Sequence, residues 1–181
     1  MQIECDFVCI GVGIAPAVQF ARRAGLDIEN GIVVDEHLRT SHPDIYAGGD
    51  VVNYPDPVFK KRRRVEHWGH AEYCGQVAGL NMAGTPQKYD LLTYVWSDVF
   101  DLHIECAGDE TARDRTLLRG SLGEPSFIVL YLRDNTLKAY FAINGNKREF
   151  PKLQRLIRRR VDVTGKDEEL QNPSFDLKSF F

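Results

Sequence analysis

With 181 residues, of which 43% are hydrophobic and 27% charged, the chain has an ordinary globular composition that excludes disorder and allows one sizeable core or two small ones. A formal net charge of -3 excludes polyanion binding by overall charge and leaves only local basic surfaces for acidic partners. The longest apolar stretch, residues 7–18, is broken by Gly11, Gly13 and Pro16 and preceded by Glu4 and Asp6; it is neither a membrane span nor a signal peptide, so the chain reads as cytoplasmic.

Residues 3–11, IECDFVCIG, are β-branched and aromatic, which predicts a strand ending in a glycine loop. An apolar-periodic helix over 17–26 follows, with Gly25 as its stop. The pair Gly11 and Gly13 lacks the third small residue of a nucleotide fingerprint, and Pro16 stands where the helix would begin. It therefore reads as a tight connection. Cys5, Cys9, Cys74 and Cys106 contain no C-x-x-C pair and read as buried thiols, with neither a zinc site nor a dithiol mechanism. A turn at Asn30 and Gly31 and a short strand over 32–34, closed by Asp35, lead into TSHPDIYAGGD at 40–50.

In that stretch Ile45, Tyr46 and Ala47 are expected as a buried strand running into Gly48 and Gly49. Asp50 is then delivered to the carboxyl end of a sheet, where open α/β sheets bind ligands. The glycines let the backbone turn and approach a ligand closely. A lone aspartate in this position more often caps the next helix. Residues 51–59 contain Pro55 and Pro57 and are expected as a loop.

Residues 60–64 are successive cations, KKRRR. Their plain reading is a solvated loop or strand edge, with an acidic partner or a phosphorylated cofactor as alternatives. No aromatic residue interleaves them, which argues against nucleic-acid stacking. Over 65–84, Ala71, Cys74, Val77, Ala78 and Met82 share one helical face, ended by Gly84 and Pro86. Glu66, His67 and Trp68 open that helix, where free amides and the dipole point at any pocket occupant.

A polar linker over 85–89 sets a boundary. Beyond it YVWSD (94–98) precedes an alternating strand with Leu102, Ile104 and Cys106, and a second strand covers 115–119. Residues 127–132 and 137–143 flank Asp134 and Asn135 as a hairpin. A helix over 148–161, with Pro151 in its first turn, turns Phe150, Leu153, Leu156, Ile157 and Val161 inward and Arg155, Arg158 and Arg159 outward. The tail NPSFDL has a neighbouring surface or a second subunit to pack on. A sheet with one packed helix is an α+β arrangement.

Three separated signatures carry a resemblance: Thr40, Pro43, Ile45, Tyr46, Ala47, Gly49 and Asp50; EHWGHA at 66–71; and YVWSD at 94–98. They resemble the FAD-dependent pyridine nucleotide oxidoreductases of the ferredoxin/rubredoxin reductase and apoptosis-inducing-factor-like family. Asp6, Val8, Gly13 and Pro16 resemble the segment that ends the NAD(P)H-binding domain there. The fold implied is α+β overall: a remnant of the two-dinucleotide-domain α/β flavoprotein fold, then a reductase C-terminal α+β domain with an antiparallel sheet and packed helix. Residues 1–30 would close the NAD(P)H-binding domain, 31–86 the FAD-binding domain, and 87–181 would form the C-terminal domain.

The resemblance implies that Asp50 hydrogen-bonds the ribityl chain of FAD. It places Gly13, Gly49, Val51, Glu66, His67, Trp68, Ala71 and Trp96 at the cofactor, and Glu66, His67 and Trp96 beside the flavin ring and nicotinamide. Taken alone, His67 reads as a capping or core histidine and Trp96 equally as a core plug. The chemistry implied is hydride transfer from NAD(P)H to FAD, then electron transfer to a small redox protein such as ferredoxin or rubredoxin. Homodimerisation is a further expectation. Both GxGxxG loops would lie upstream of Met1, so the chain alone is expected to bind FAD weakly or not at all. The alternative is a dimerisation or partner-recruitment module acting through residues 60–64 and the carboxy-terminal domain, with polyanion binding as a further option.

Overall fold

The computed structural model describes residues 2–181; Met1, the first residue of the expected 1–30 unit, lies outside them. The chain builds two sheets, each with its own core. Helix α1 (Gln19–Arg23) precedes β1 (Ile32–Val33), β2 (Val52–Pro55) and β3 (Arg62–Arg63), and helix α2 (Trp68–Met82) follows. Strands β1 and β2 run parallel, pairing Ile32 with Val52, and β3 adds antiparallel to β2. Val34, Leu38, Val52, Tyr54, Cys74, Val77, Ala78 and Tyr89 form the core between this sheet and α2.

The second sheet holds β4 (Tyr94–Val99), β5 (Leu102–Gly108), β6 (Arg115–Gly120), β7 (Phe127–Arg133) and β8 (Thr136–Ile143). All pairs are antiparallel, in the order β4-β5-β8-β7-β6. The tight β7–β8 turn forms at Asp134 and Asn135, both with positive φ, as a two-residue hairpin of right-handed twist requires. Helix α3 (Phe150–Arg159) has Pro151 in its first turn and buries Phe150, Leu153, Leu156 and Ile157 against the sheet. Each of those side chains contributes roughly 1.5–3 kcal/mol. Helix α4 (Asp167–Gln171) and a final turn at Leu177–Phe180 fold back on the same core through Leu170 and Leu177. The tail therefore packs within its own chain.

Several expectations are corrected. Residues 3–11 form no strand: Ile3, Phe7, Val8 and Ile10 are exposed. A strand is held by a neighbour's N–H and C=O groups, and no described segment pairs with this one. The helix expected over 17–26 shrinks to α1, anchored by Val18 and Ala21. Ile45, Tyr46 and Ala47 are not a buried strand but one side of a small turn, with a single bridge from Arg39 to Tyr46 and Ile45 exposed. Residues 51–59 are not all loop, because β2 lies inside them. Pro55 is tolerated since it is the last residue of β2, beyond the end of β1, where no ladder donor is needed. Cys5 and Cys9 are exposed rather than buried.

The cationic run is not solvated as a block. Lys61 pairs with Asp109 at 2.5 Å, Arg63 with Asp56 at 3.1 Å, and Arg64 with Glu66. Arg62 donates to the carbonyls of Val34 and Asn53, and Arg63 also donates to that of Gly108. Pulling Arg63 and Lys61 onto β5 and the turn after it joins the two sheets. The connection over 85–93 does the same, since Tyr89 is buried in the first core and Leu92 in the second.

Candidate functional site

The loop at Gly48, Gly49 and Asp50 lies against the amino end of α2. A Cβ on Gly48 would stand 3.4 Å from the Gly75 Cα, so paired glycines let loop and helix touch. Gly49 has φ +87, a conformation other residues adopt only under strain, and a Cβ added there would stand 3.9 Å from the Ala71 Cβ. Val51 and Asp50 follow, with Asp50 exposed. Asp50 thus precedes β2 rather than ending a strand.

Arg64 ties this loop to the helix. Its Nη1 donates to the Asp50 carbonyl at 3.2 Å and to Glu66 Oε1, and its Nε donates to Asn30 Oδ1 at 3.3 Å. Gly31 makes room for it: a Cβ there would meet the Val51 carbonyl oxygen at 2.5 Å and Arg64 Cδ at 2.8 Å. Arg64 was hidden inside the charge run, although its place two residues before Glu66 marks it out.

His67 is the N-cap residue of α2, but its side chain makes no capping bond. The first-turn amides therefore keep free donors. Its Nδ1 is buried without a partner, and Gly69 clears the ring, with a Cβ there 3.3 Å from His67 Cε1. Trp68 projects outward, 77% exposed. The structure thus gathers Gly49, Asp50, Val51, Glu66, His67, Trp68 and Ala71 around one helix terminus. The site offers free amides at the positive end of a fifteen-residue helix, the carboxylates of Asp50 and of Glu66, the latter paired with Arg64, an unpaired imidazole nitrogen and a flat apolar surface, a set suited to an extended polar ligand.

Two expected residues lie elsewhere. Gly13 has φ +91 in exposed coil with nothing near it. Trp96 is on β4, 54% exposed and so no core plug. It stacks on His103 with ring centroids 6.3 Å apart and lines an open cleft of about 670 Å³ with Tyr94, Asp98, Glu105 and Phe150. In that cleft His103 Nδ1 is 2.6 Å from Asp98, and behind it the buried Tyr140 donates to Glu105 at 2.6 Å.

Behind the helix terminus, the second histidine of EHWGHA is buried. His70 Nδ1 is 2.6 Å from the Tyr89 hydroxyl, and Cys74 Sγ is 3.6 Å from His70 Nε2. Tyr54 packs edge-on to Tyr89 at 4.7 Å. Burial pushes the His70 imidazole down from 6.5 to about 4, partly offset by the Gly49 backbone, and pushes the Cys74 thiol up to about 11. Cys74 is thereby inert as a nucleophile.

A pH dependence follows. The unfolded chain takes up a proton on His70 near 6.5 and the folded chain only near about 4. The unfolded state binds more protons throughout that window, so stability rises with pH across it. Urea unfolding from pH 7 down to 4 is expected to lose about 3 kcal/mol from this group. His70→Gln should flatten that fall, and an unchanged profile would assign it to another residue.

Residues 1–75 match the pyridine nucleotide-disulphide oxidoreductase model, and residues 94–181 match the reductase C-terminal model. A Burkholderia cepacia protein, the ferredoxin–NAD(+) reductase component of an anthranilate 1,2-dioxygenase system, is 33% identical over 180 residues, covering 99% of this chain and 44% of that protein. A ferredoxin reductase from Rhodopseudomonas palustris superposes with a TM-score of 0.86 at 30% identity, over 97% of this chain and 43% of its own. The covalent putidaredoxin reductase-putidaredoxin complex gives 0.89 at 29% identity, over 99% and 42%. The chain spans less than half the length of these relatives.

Proposed function

We propose, from the match of residues 1–75 to the pyridine nucleotide-disulphide oxidoreductase model and of residues 94–181 to the reductase C-terminal model, that the chain is the carboxy-terminal portion of an FAD-dependent NAD(P)H oxidoreductase serving a ferredoxin- or rubredoxin-like acceptor. In this reading residues 1–30 close the NAD(P)H-binding domain, 31–86 complete the FAD-binding domain and 87–181 form the C-terminal domain. We place it in the cytoplasm as part of this proposal. Separately, no helix among the described residues is long and apolar enough to cross a membrane. Homodimerisation belongs to the same proposal.

The carrying observation is the unpartnered helix terminus beside Asp50. FAD would supply hydride acceptance from NAD(P)H and onward electron delivery. Asp50 would accept hydrogen bonds from the ribityl hydroxyls, and Gly49, Val51 and Ala71 would let the cofactor approach the backbone. The amides opening α2 stabilise negative charge placed before them. His67, with its free Nδ1, offers a polar contact, and Arg64 fixes Glu66 next to it. Trp68 would exclude water from its own side of the cofactor.

Titrating FAD into the chain and following flavin fluorescence tests this. Weak binding is expected, and Asp50→Ala should weaken it about tenfold, as loss of one charge-assisted hydrogen bond does. Binding indifferent to both Asp50→Ala and His67→Ala would sink the reading. The recruitment-module alternative works through residues 60–64 and the carboxy-terminal domain. Lys61, Arg62, Arg63 and Arg64 are engaged within the chain, which leaves that reading Lys60 and the carboxy-terminal domain to act through.

A further inference from the structure

A second site lies away from α2. The turn at residues 58–61, the β7–β8 hairpin and the end of α3 enclose a cleft of about 480 Å³. Lys60, Lys61, Arg133, Lys138 and Arg160 line it against only two carboxylates, Asp109 and Asp134, with Val58 and Phe59 as an apolar wall. Lys61 is matched by Asp109 at 2.5 Å, and Arg133 stands 3.8 Å from Asp134. Arg160 gives one donor to the Val58 carbonyl and keeps the rest. Lys60 and Lys138 have no ionic or hydrogen-bonding side-chain partner among the described residues. The cleft is thus left with surplus positive charge that nothing among the described residues neutralises.

The backbone supports the same conclusion independently. Lys60 has φ 56 and Arg160 has φ 49, in the left-handed region where glycine or asparagine are the ordinary occupants. Arg160 is the left-handed C-cap that ends α3, an ordinary helix stop, so the strain that points to the cleft is that of Lys60, where glycine would relieve it. Both residues line the one cleft. Its rim is fixed: Asp56 Oδ1 accepts from the amides of Val58 and Phe59, the Lys60 amide donates to the Asp56 carbonyl, and the Asp109 amide donates to that of Lys138.

We propose that this cleft binds a small phosphate-type polyanion, with Lys60, Lys138 and Arg160 as its principal contacts. A compact hollow fits a small phosphorylated molecule better than a nucleic-acid strand, which takes an extended groove with stacking aromatics. None of the residues around Asp50 lines it, so this assignment stands apart from the flavin site.

The test is calorimetric titration of the full chain with inorganic pyrophosphate, ionic strength held constant with sodium chloride, alongside thermal melts. Saturable binding and a raised melting temperature are expected. Lys60→Gly should raise the melting temperature without pyrophosphate, because it relieves the backbone, yet weaken pyrophosphate binding severalfold. Adding Lys138→Gln should weaken it at least tenfold overall. Arg158→Gln removes a cation outside the cleft and should leave binding unchanged. No saturable heat, equal affinity in the double variant, an equal loss in Arg158→Gln, or displacement by oligonucleotide far below the pyrophosphate concentration would each overturn the assignment.

Discussion

Arg119→Met is expected to remove about 3–5 kcal/mol of unfolding free energy, the usual consequence of deleting one partner from a buried ion pair. The side chain is 2% exposed on β6. Its Nε and Nη2 meet both oxygens of Glu149, at the start of α3. The remaining donors reach carbonyls of Leu170 at 3.0 Å, Phe175 at 2.9 Å and Pro173 at 3.2 Å. One guanidinium thus satisfies the carbonyls of a tail whose last residues have little regular structure. Methionine fills the volume but strands Glu149 and those carbonyls without donors. Arg119→Lys should recover only a minor share, since one ammonium cannot reproduce a planar fork. Urea unfolding at pH 7 reads all three, and a loss under about 1 kcal/mol in Arg119→Met would show that water replaces the fork.

Gly108→Ala should be comparably severe, at roughly 3–5 kcal/mol when the left-handed penalty and the overpacking are combined. Gly108 has φ +100, and a Cβ there would lie 2.1 Å from the Lys138 carbonyl oxygen and 2.8 Å from the Ala139 Cα. Both contacts are backbone, so no flexible side chain can give way. The clash separates β5 from β8 at their last paired position, Gly108 with Ala139, and moves the carbonyl that Arg63 holds. Gly165→Ala is the control: φ is +69 with open space around it, so only the conformational cost of about 1–2 kcal/mol applies. Equal midpoint shifts for the two variants would show that the strands part to admit a methyl group.

Local rules made some of the chain legible. The β7–β8 hairpin follows from two residues that accept positive φ between β-prone runs, and α3 from a stripe of apolar side chains behind Pro151. In both, the determinants lie within a few residues of what they determine. The 3–11 run fails for the opposite reason: its composition favours a strand, but a strand exists only with a neighbour. Strand β2 was obscured because a proline counts against a strand only where a partner needs its amide. At the site, Gly49, Asp50, Glu66 and His67 were visible as a motif and do converge on α2. Arg64 and His70 were not separated from a charge run and a motif until tertiary packing gave one a carbonyl to hold and the other a tyrosine. Trp96 was visible as a residue but not as a neighbour of His103, since cross-strand pairing is set by register.

The buried side chains of Tyr89 and Leu92 are three residues apart, each seated in a different core. So short a span reaches at most about 10 Å fully stretched, which leaves no slack for one half to swing relative to the other. Motion at this junction would have to extract an aromatic ring or an isobutyl group into water, so the two halves should tumble in solution as a single particle. Any opening that admits or releases a bound molecule must then come from side chains and surface turns, on their faster timescale.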